Sequence, residues 1–179
     1  MKLLCLVLLL SFSCFSQENE LEKEKKLSRD YLQKMSMEEE AIVADRGVII
    51  RPIYEAGKSP KTPSCLDDEV LTTYDLITRS QYYSERSLIS DLLLKGRLSL
   101  FIDCWKIALQ YMYVHDVYKI SCPSDTAYGD YGYVDEHGNQ VIKGGEALSF
   151  RVILHDVEFG AKDLDSLSEL SLGIPFNCN

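Results

Sequence analysis

The apolar positions of this chain change period several times, and each change marks an element. MKLLCLVLLLSFSCFS places one lysine before an apolar run, Leu3 to Leu10, and then small residues. This is the layout of a secretory signal peptide over 1–16. The run is shorter than the ~20 apolar residues a membrane-spanning helix needs, and it gives way at once to QENELEKEKK. Residues 17–44 read as a helical lead-in. From Glu18 to about Met37, Leu21, Leu27, Tyr31, Leu32 and Met35 recur at partly helical spacing, and Ser36 with Glu39 has capping-box spacing for a second short turn. The plain reading is a solvated spacer helix; the sharper one is a dimerisation or docking helix.

From Arg46 the texture becomes β-rich. Val48 to Tyr54 reads as a strand closed by the turn cluster Glu55 to Pro60, and Val70 to Ile77 as a second strand. Gln81 to Ser84 extends or follows it, and Asp91 to Leu94 is short and apolar. In DCWKIALQYM, residues 103–112, Trp105, Ala108, Leu109 and Met112 fall on one helix face, with Asp103 as the expected N-cap. Val117 to Cys122 alternates until Pro123 stops it, and Tyr128 to Gly145 reads as a loop. In Ala147 to Val157, Leu148, Phe150, Val152 and Leu154 share one face, with His155 off it and expected at a strand edge. The order predicts an α+β fold: a curved antiparallel sheet wrapped around one short helix, preceded by an N-terminal helix. The tail, 160–179, is rich in Ser and Leu, with Leu164, Leu167, Leu170 and Leu172 hinting at a short helix or strap.

A chain of 179 residues suits one domain with a short extension. Its net charge of −9, or −10 once Lys2 leaves with the leader, disfavours phosphate neutralisation, so no nucleic-acid partner is expected. With the signal peptide, the expected location is secreted or periplasmic. Lipid anchoring through Cys14 is a rival, weakened because Ser11-Phe12-Ser13 makes a poor lipobox. Cys65, Cys104, Cys122 and Cys178 remain in the mature chain. One or two disulfides are open in an oxidising compartment, and so are buried or unpaired thiols. Their spacings match no metal-ligand pattern, and no metal or cofactor is expected.

No P-loop, dinucleotide fingerprint, HExxH, GxSxG or CxxC motif occurs, and the three histidines lack ligand spacing. What stands out is a set of aromatics around one helix and two loops. On composition alone these read as core.

Three stretches in order change that reading. FIDCWKIALQYM, 101–112, resembles the V-I-x-G-W-x-x-A-L-x-x-M segment of the FKBP family of peptidyl-prolyl cis–trans isomerases. PSDTAYG, 123–129, resembles its P-x-x-x-A-Y-G loop, and IKGGEALSFRV, 142–152, its I-P-P-x-x-x-L-x-F-x-V ending, with a longer loop between. Lys25 to Tyr31 followed by Glu38 to Glu55 is similar to the lead-in and first strand of the secreted, macrophage-infectivity-potentiator type. Tyr82-Tyr83-Ser84-Glu85 resembles a variant in gliding-motility-associated isomerase lipoproteins. The likeness spans about 45–158, and the isomerase domain is set at 45–159.

The resemblance implies a pocket. Trp105 would be the floor for a substrate proline ring, and Tyr74, Phe101, Tyr128, Ile142 and Phe150 its walls. The Ile102 backbone N–H and the Tyr128 hydroxyl would hold substrate carbonyls, and Tyr82 would match the aromatic of the family's F-D-S segment. Ile102, Tyr128, Phe150 and Tyr74 are the implied catalytic set, and Trp105, Phe101, Ile142 and Tyr82 the substrate-binding set. The implied partners are proline-containing polypeptides, a macrolide ligand, and a second copy through the N-terminal helix. The chain departs from the pattern where the pocket aspartate becomes Tyr83, the glycine before the tryptophan becomes Cys104, and two prolines become Lys143 and Gly144. A non-catalytic FKBP-like chaperone or interaction module is the alternative.

Overall fold

The computed structural model describes residues 20–57, 66–78, 84–86 and 93–159. Helix α1 (20–36) leads, followed by strands β1 (Ile42–Val43), β2 (Ile49–Tyr54), β3 (Glu69–Thr78), β4 (Ser84–Arg86) and β5 (Leu94–Arg97). Helix α2 (Asp103–Ala108) comes next, then β6 (Val117–Cys122), β7 (Tyr133–Val134), β8 (Gln140–Ile142) and β9 (Leu148–Glu158). Seven strands form one antiparallel sheet in the order β1-β2-β6-β9-β3-β4, with β5 also paired to β3. This is the expected α+β arrangement, an N-terminal helix and then a curved sheet around one short helix.

The core lies between α2 and the sheet. Trp105, Ala108, Leu109 and Met112 are all buried, as their spacing requires. They meet Val48, Ile50, Ile120, Val152 and Leu154 from the facing strands. Along β9 the alternation Leu148, Phe150, Val152, Leu154 breaks at His155. Leu71 pairs with Asp156 and Thr72 with Leu154, so His155 is the extra residue of a β-bulge. The bulge resets the phase and returns Val157, 1% exposed, to the core. His155 therefore lies in a central strand and not at a sheet edge. Its Nε2 is 2.9 Å from Thr73 Oγ1.

Four other expectations are corrected. The helix after Phe101 is α-helical only to Ala108, then tightens to a 3-10 turn, Leu109–Tyr111. Ile102, not Asp103, is its N-cap; the Asp103 carboxylate is drawn away by Arg46 Nη1 at 2.6 Å and Lys106 Nζ at 2.9 Å. Ser36 makes no capping box for the short turn at 37–40, since its hydroxyl donates back to the Gln33 carbonyl at 2.8 Å. The stretch 128–145 is not all loop: β7 and β8 pair as a hairpin whose turn is held by Asp135, which accepts the His137 and Asn139 N–H groups.

Helix α1 docks on its own domain. Tyr31 and Ser149 hydroxyls meet at 2.6 Å, Ala147 N–H donates to Ser28 Oγ at 2.8 Å, and Lys25 pairs with Asp130 at 2.9 Å. Glu38, just past the helix, bridges Lys119 and Arg51 on the sheet. Gly144 lies beneath this contact. A Cβ there would fall 2.0 Å from the Asp130 carbonyl oxygen, so no residue with a side chain, proline included, fits.

Candidate functional site

One end of the core opens to solvent as a hollow of about 230 Å³. Its floor is Trp105, placed by the first turn of α2. The indole is 3% exposed, so it is packed on its other sides and borders the opening. Period-2 geometry brings Tyr74 and Leu76 from β3 and Phe150 from β9 to the same face, with Leu76 paired opposite Phe150. Tyr74 and Phe150 stand edge-on to the indole, at 5.2 Å and 5.5 Å between ring centres and interplanar angles of 87° and 89°. Phe101 tilts against it at 5.4 Å. Such contacts fix ring orientation as well as burying area. Leu94, Leu100, Ile102 and Tyr128 complete the wall, and Tyr128 leans on Tyr133 at 5.5 Å.

The chemistry of this lining is narrow. Among the described residues that line the hollow there is no carboxylate, imidazole, thiol or cationic side chain; their polar side-chain atoms are two tyrosine hydroxyls and the indole nitrogen. Trp105 Nε1 is buried with no acceptor among the described residues. As the α2 N-cap, Ile102 carries a backbone N–H that has no acceptor within the helix. Among the described residues, Asp103 and its cationic partners lie outside the lining. Lys106 and then Arg46, hydrogen-bonded to the Asp103 carboxyl, hold it below the usual carboxylate range. At about 230 Å³ the hollow is smaller than the ~300–1,000 Å³ of sites for drug-sized ligands, so it suits one ring or side chain of a longer molecule. A larger cavity, about 340 Å³, lies between α1 and the β7–β8 hairpin, but Glu20, Glu24, Asp130 and Lys143 make its lining charged.

Of the residues expected at the site, the structure brings together Tyr74, Phe101, Ile102, Trp105, Tyr128 and Phe150. It does not bring Ile142 to the hollow. That residue is 2% exposed at the end of β8 and packs in the core, because the β7–β8 pairing turns it inward. Tyr82 and Tyr83 lie outside the described residues, as do Cys65 and Cys178. Cys104, standing where the family pattern has glycine, does not line the hollow; it is bonded to Cys122. Leu76, Leu94 and Leu100 were missed. Leu76 was within reach, two residues from Tyr74 on one strand face; nothing in the sequence marks Leu94 or Leu100.

No protein-family model matches the chain, and no curated protein does. Solved structures do. FkpA from Escherichia coli superposes with a TM-score of 0.70 at 23% identity over 83% of this chain, which spans 65% of the length of that one. A peptidyl-prolyl cis–trans isomerase from Pseudomonas syringae pv. tomato gives 0.66 at 22% identity, covering 77% of this chain and 96% of that one. The N-terminal domain of FKBP42 from Arabidopsis thaliana gives 0.58 at 16%, covering 69% and 95%. These likenesses establish an FKBP-like fold.

Proposed function

We propose that this protein is a peptidyl-prolyl cis–trans isomerase of the FKBP type that acts on X–Pro bonds of exported polypeptides. The observation that carries this reading is the open, ring-lined hollow, with Trp105 as its floor and neither an acid nor a base among the described residues that line it. Rotation about an X–Pro amide meets a barrier of ~18–20 kcal/mol, set by resonance between carbonyl and nitrogen. No covalent bond is made or broken, so the reaction needs no nucleophile or proton carrier. At the twisted state conjugation is lost and the amide becomes less dipolar. A dry aromatic wall suits that state better than the planar one, which water solvates well, and this difference lowers the barrier. A prolyl ring seated on Trp105 between Tyr74 and Phe150 holds one side of the rotating bond. The Ile102 N–H and the Tyr128 hydroxyl then hold the carbonyls that flank it. A barrier lowered by ~5 kcal/mol gives roughly 10³–10⁴-fold acceleration.

The signal-like leader supports action on exported chains, with no nucleic-acid partner. A macrolide of the kind that FKBP pockets bind is the matching competitor. Exchange between cis and trans forms of a short X–Pro peptide, followed by NMR, tests the proposal. Added protein should speed exchange and the macrolide should abolish the effect; folded protein that leaves the exchange rate unchanged overturns it. One observation favours a second reading, a non-catalytic chaperone. Leu100, 79% exposed, and the Tyr128–Tyr133 pair leave an apolar rim around the hollow. Under that reading the peptide binds with no change in exchange rate.

A further inference from the structure

Helix α2 has six residues and no side-chain cap. That is far below the ~12–15 residues at which an isolated helix becomes even marginal, so contacts outside the helix decide where Trp105 sits. Two links leave from the residues just before it. Cys104 is bonded to Cys122, the last residue of β6. The Asp103 carboxylate accepts Arg46 Nη1 at 2.6 Å, and Nη2 of the same guanidinium donates to the Asp125 carbonyl at 2.8 Å. Both links end on one short segment, 122–125, which runs directly to Tyr128.

That segment is itself stiff. Thr126 N–H donates to the Pro123 carbonyl at 3.1 Å, the Thr126 hydroxyl to the same oxygen at 2.8 Å, and Gly129 N–H to the Ser124 carbonyl at 2.7 Å. Movement of β6's end is therefore carried to Tyr128 in the wall of the hollow. Arg46 reaches both partners from a left-handed backbone, φ 50° and ψ 25°, which a residue with a side chain rarely adopts. Such a conformation persists only where its surroundings over-determine it. Both cysteines are 0% exposed, so the folded chain shields the bridge from attacking thiolates.

We infer that Cys104, Cys122 and Arg46 are positioning residues: a covalent bridge and an ionic one that together fix Trp105 relative to Tyr128 and so set the hollow's affinity for a prolyl ring. The ligand class rests on the isomerase reading; the clamp itself does not. Loosening the clamp leaves every lining ring in the hollow, so the dry aromatic surroundings that favour the twisted state persist, and what weakens is the grip on the ring, which both states share. That raises KM and leaves kcat little changed.

The chain has one tryptophan, so its fluorescence reports the floor alone. Arg46→Gln and the double variant Cys104→Ala/Cys122→Ala are compared with the parent full-length chain, each at a temperature where circular dichroism shows it folded. In the double variant, acrylamide quenching of Trp105 should rise about 2-fold and KM for an X–Pro peptide about 5-fold or more, with kcat within about 2-fold. Arg46→Gln, which keeps the bridge, should move both quantities in the same direction by less. Folded variants with the parent's quenching and KM overturn the inference. Should the double variant fail to fold, Arg46→Gln decides alone. Should the parent chain lack isomerase activity, the isomerase reading fails while the quenching comparison still judges the clamp.

Discussion

Replacing Trp105 with leucine separates a floor that only packs from one that also acts. The indole is 3% exposed and meets three rings, Tyr74, Phe101 and Phe150, at 5.2–5.5 Å. Each such contact contributes ~0.5–1.5 kcal/mol beyond burial. Full truncation of a buried tryptophan to alanine costs ~3–5 kcal/mol, and leucine restores part of the volume. The expected loss of stability is therefore about 2–4 kcal/mol, within the ~5–15 kcal/mol typical of a domain, so the variant still folds. Urea unfolding followed by circular dichroism checks this through the midpoint at unchanged slope. In the same samples kcat/KM for an X–Pro peptide should fall at least ~30-fold, equivalent to about 2 kcal/mol of lost transition-state stabilisation. A folded variant with the parent's kcat/KM would refute the reasoning, because the indole would then be ordinary core. A parent-like urea midpoint would refute the packing half.

Two further outcomes follow from the geometry. Burial, and then the charge of His115, depress the pKa of His155 below its usual 6.5. Between that lowered value and about 6.5 the unfolded chain binds more protons than the folded one, so stability rises with pH across this window and is lost as pH falls through it. His155→Gln should flatten the stability profile as pH falls from about 7 into that window. An unchanged slope there would contradict the assignment, since Glu38 and Asp103, whose pKa values are held low by cationic partners, lose their contribution only at more acid pH. Tyr31→Phe removes the 2.6 Å bond to Ser149 and should cost about 0.5–1.5 kcal/mol, lowering Tm by a few degrees. No change in Tm, or a change in sedimentation in its place, would mean that α1 is not held on its own domain.

The sheet and the central helix were legible because burial there follows simple periods. Trp105, Ala108, Leu109 and Met112 repeat at helical spacing, and Leu148, Phe150, Val152 and Leu154 at period 2. Where a polar side chain takes a buried position, pattern fails. The face α1 turns to the domain carries Glu24 and Ser28, both buried, while Leu27, which looked like part of an apolar stripe, is 40% exposed. His155 hides a bulge because a single inserted residue has no signature apart from its partner strand. The N-cap was misplaced since Asp103 is a good capping type, and only the fold shows Arg46 and Lys106 competing for its carboxylate. Five site residues, Phe101, Ile102, Trp105, Tyr128 and Phe150, came from motifs in register with one another, and Tyr74 from the wider resemblance. Ile142 shared those motifs, yet the longer hairpin that holds it turns it into the core. Leu94 and Leu100 come from short pieces of chain whose approach to Trp105 is set by long-range pairing alone.

Isomerisation in this hollow requires a prolyl ring to enter it against the indole. Because the chain has one tryptophan, a ¹⁵N-labelled sample gives one indole N–H signal, and it belongs to Trp105. Titration with a short X–Pro peptide, and with the same peptide carrying alanine in place of proline, reads occupancy at the floor. A ring seated on Trp105 should shift that signal saturably with the prolyl peptide and leave it in place with the alanyl one, so proline entry is the claim tested. A signal that stays in place with both peptides, or moves equally with both, would contradict it.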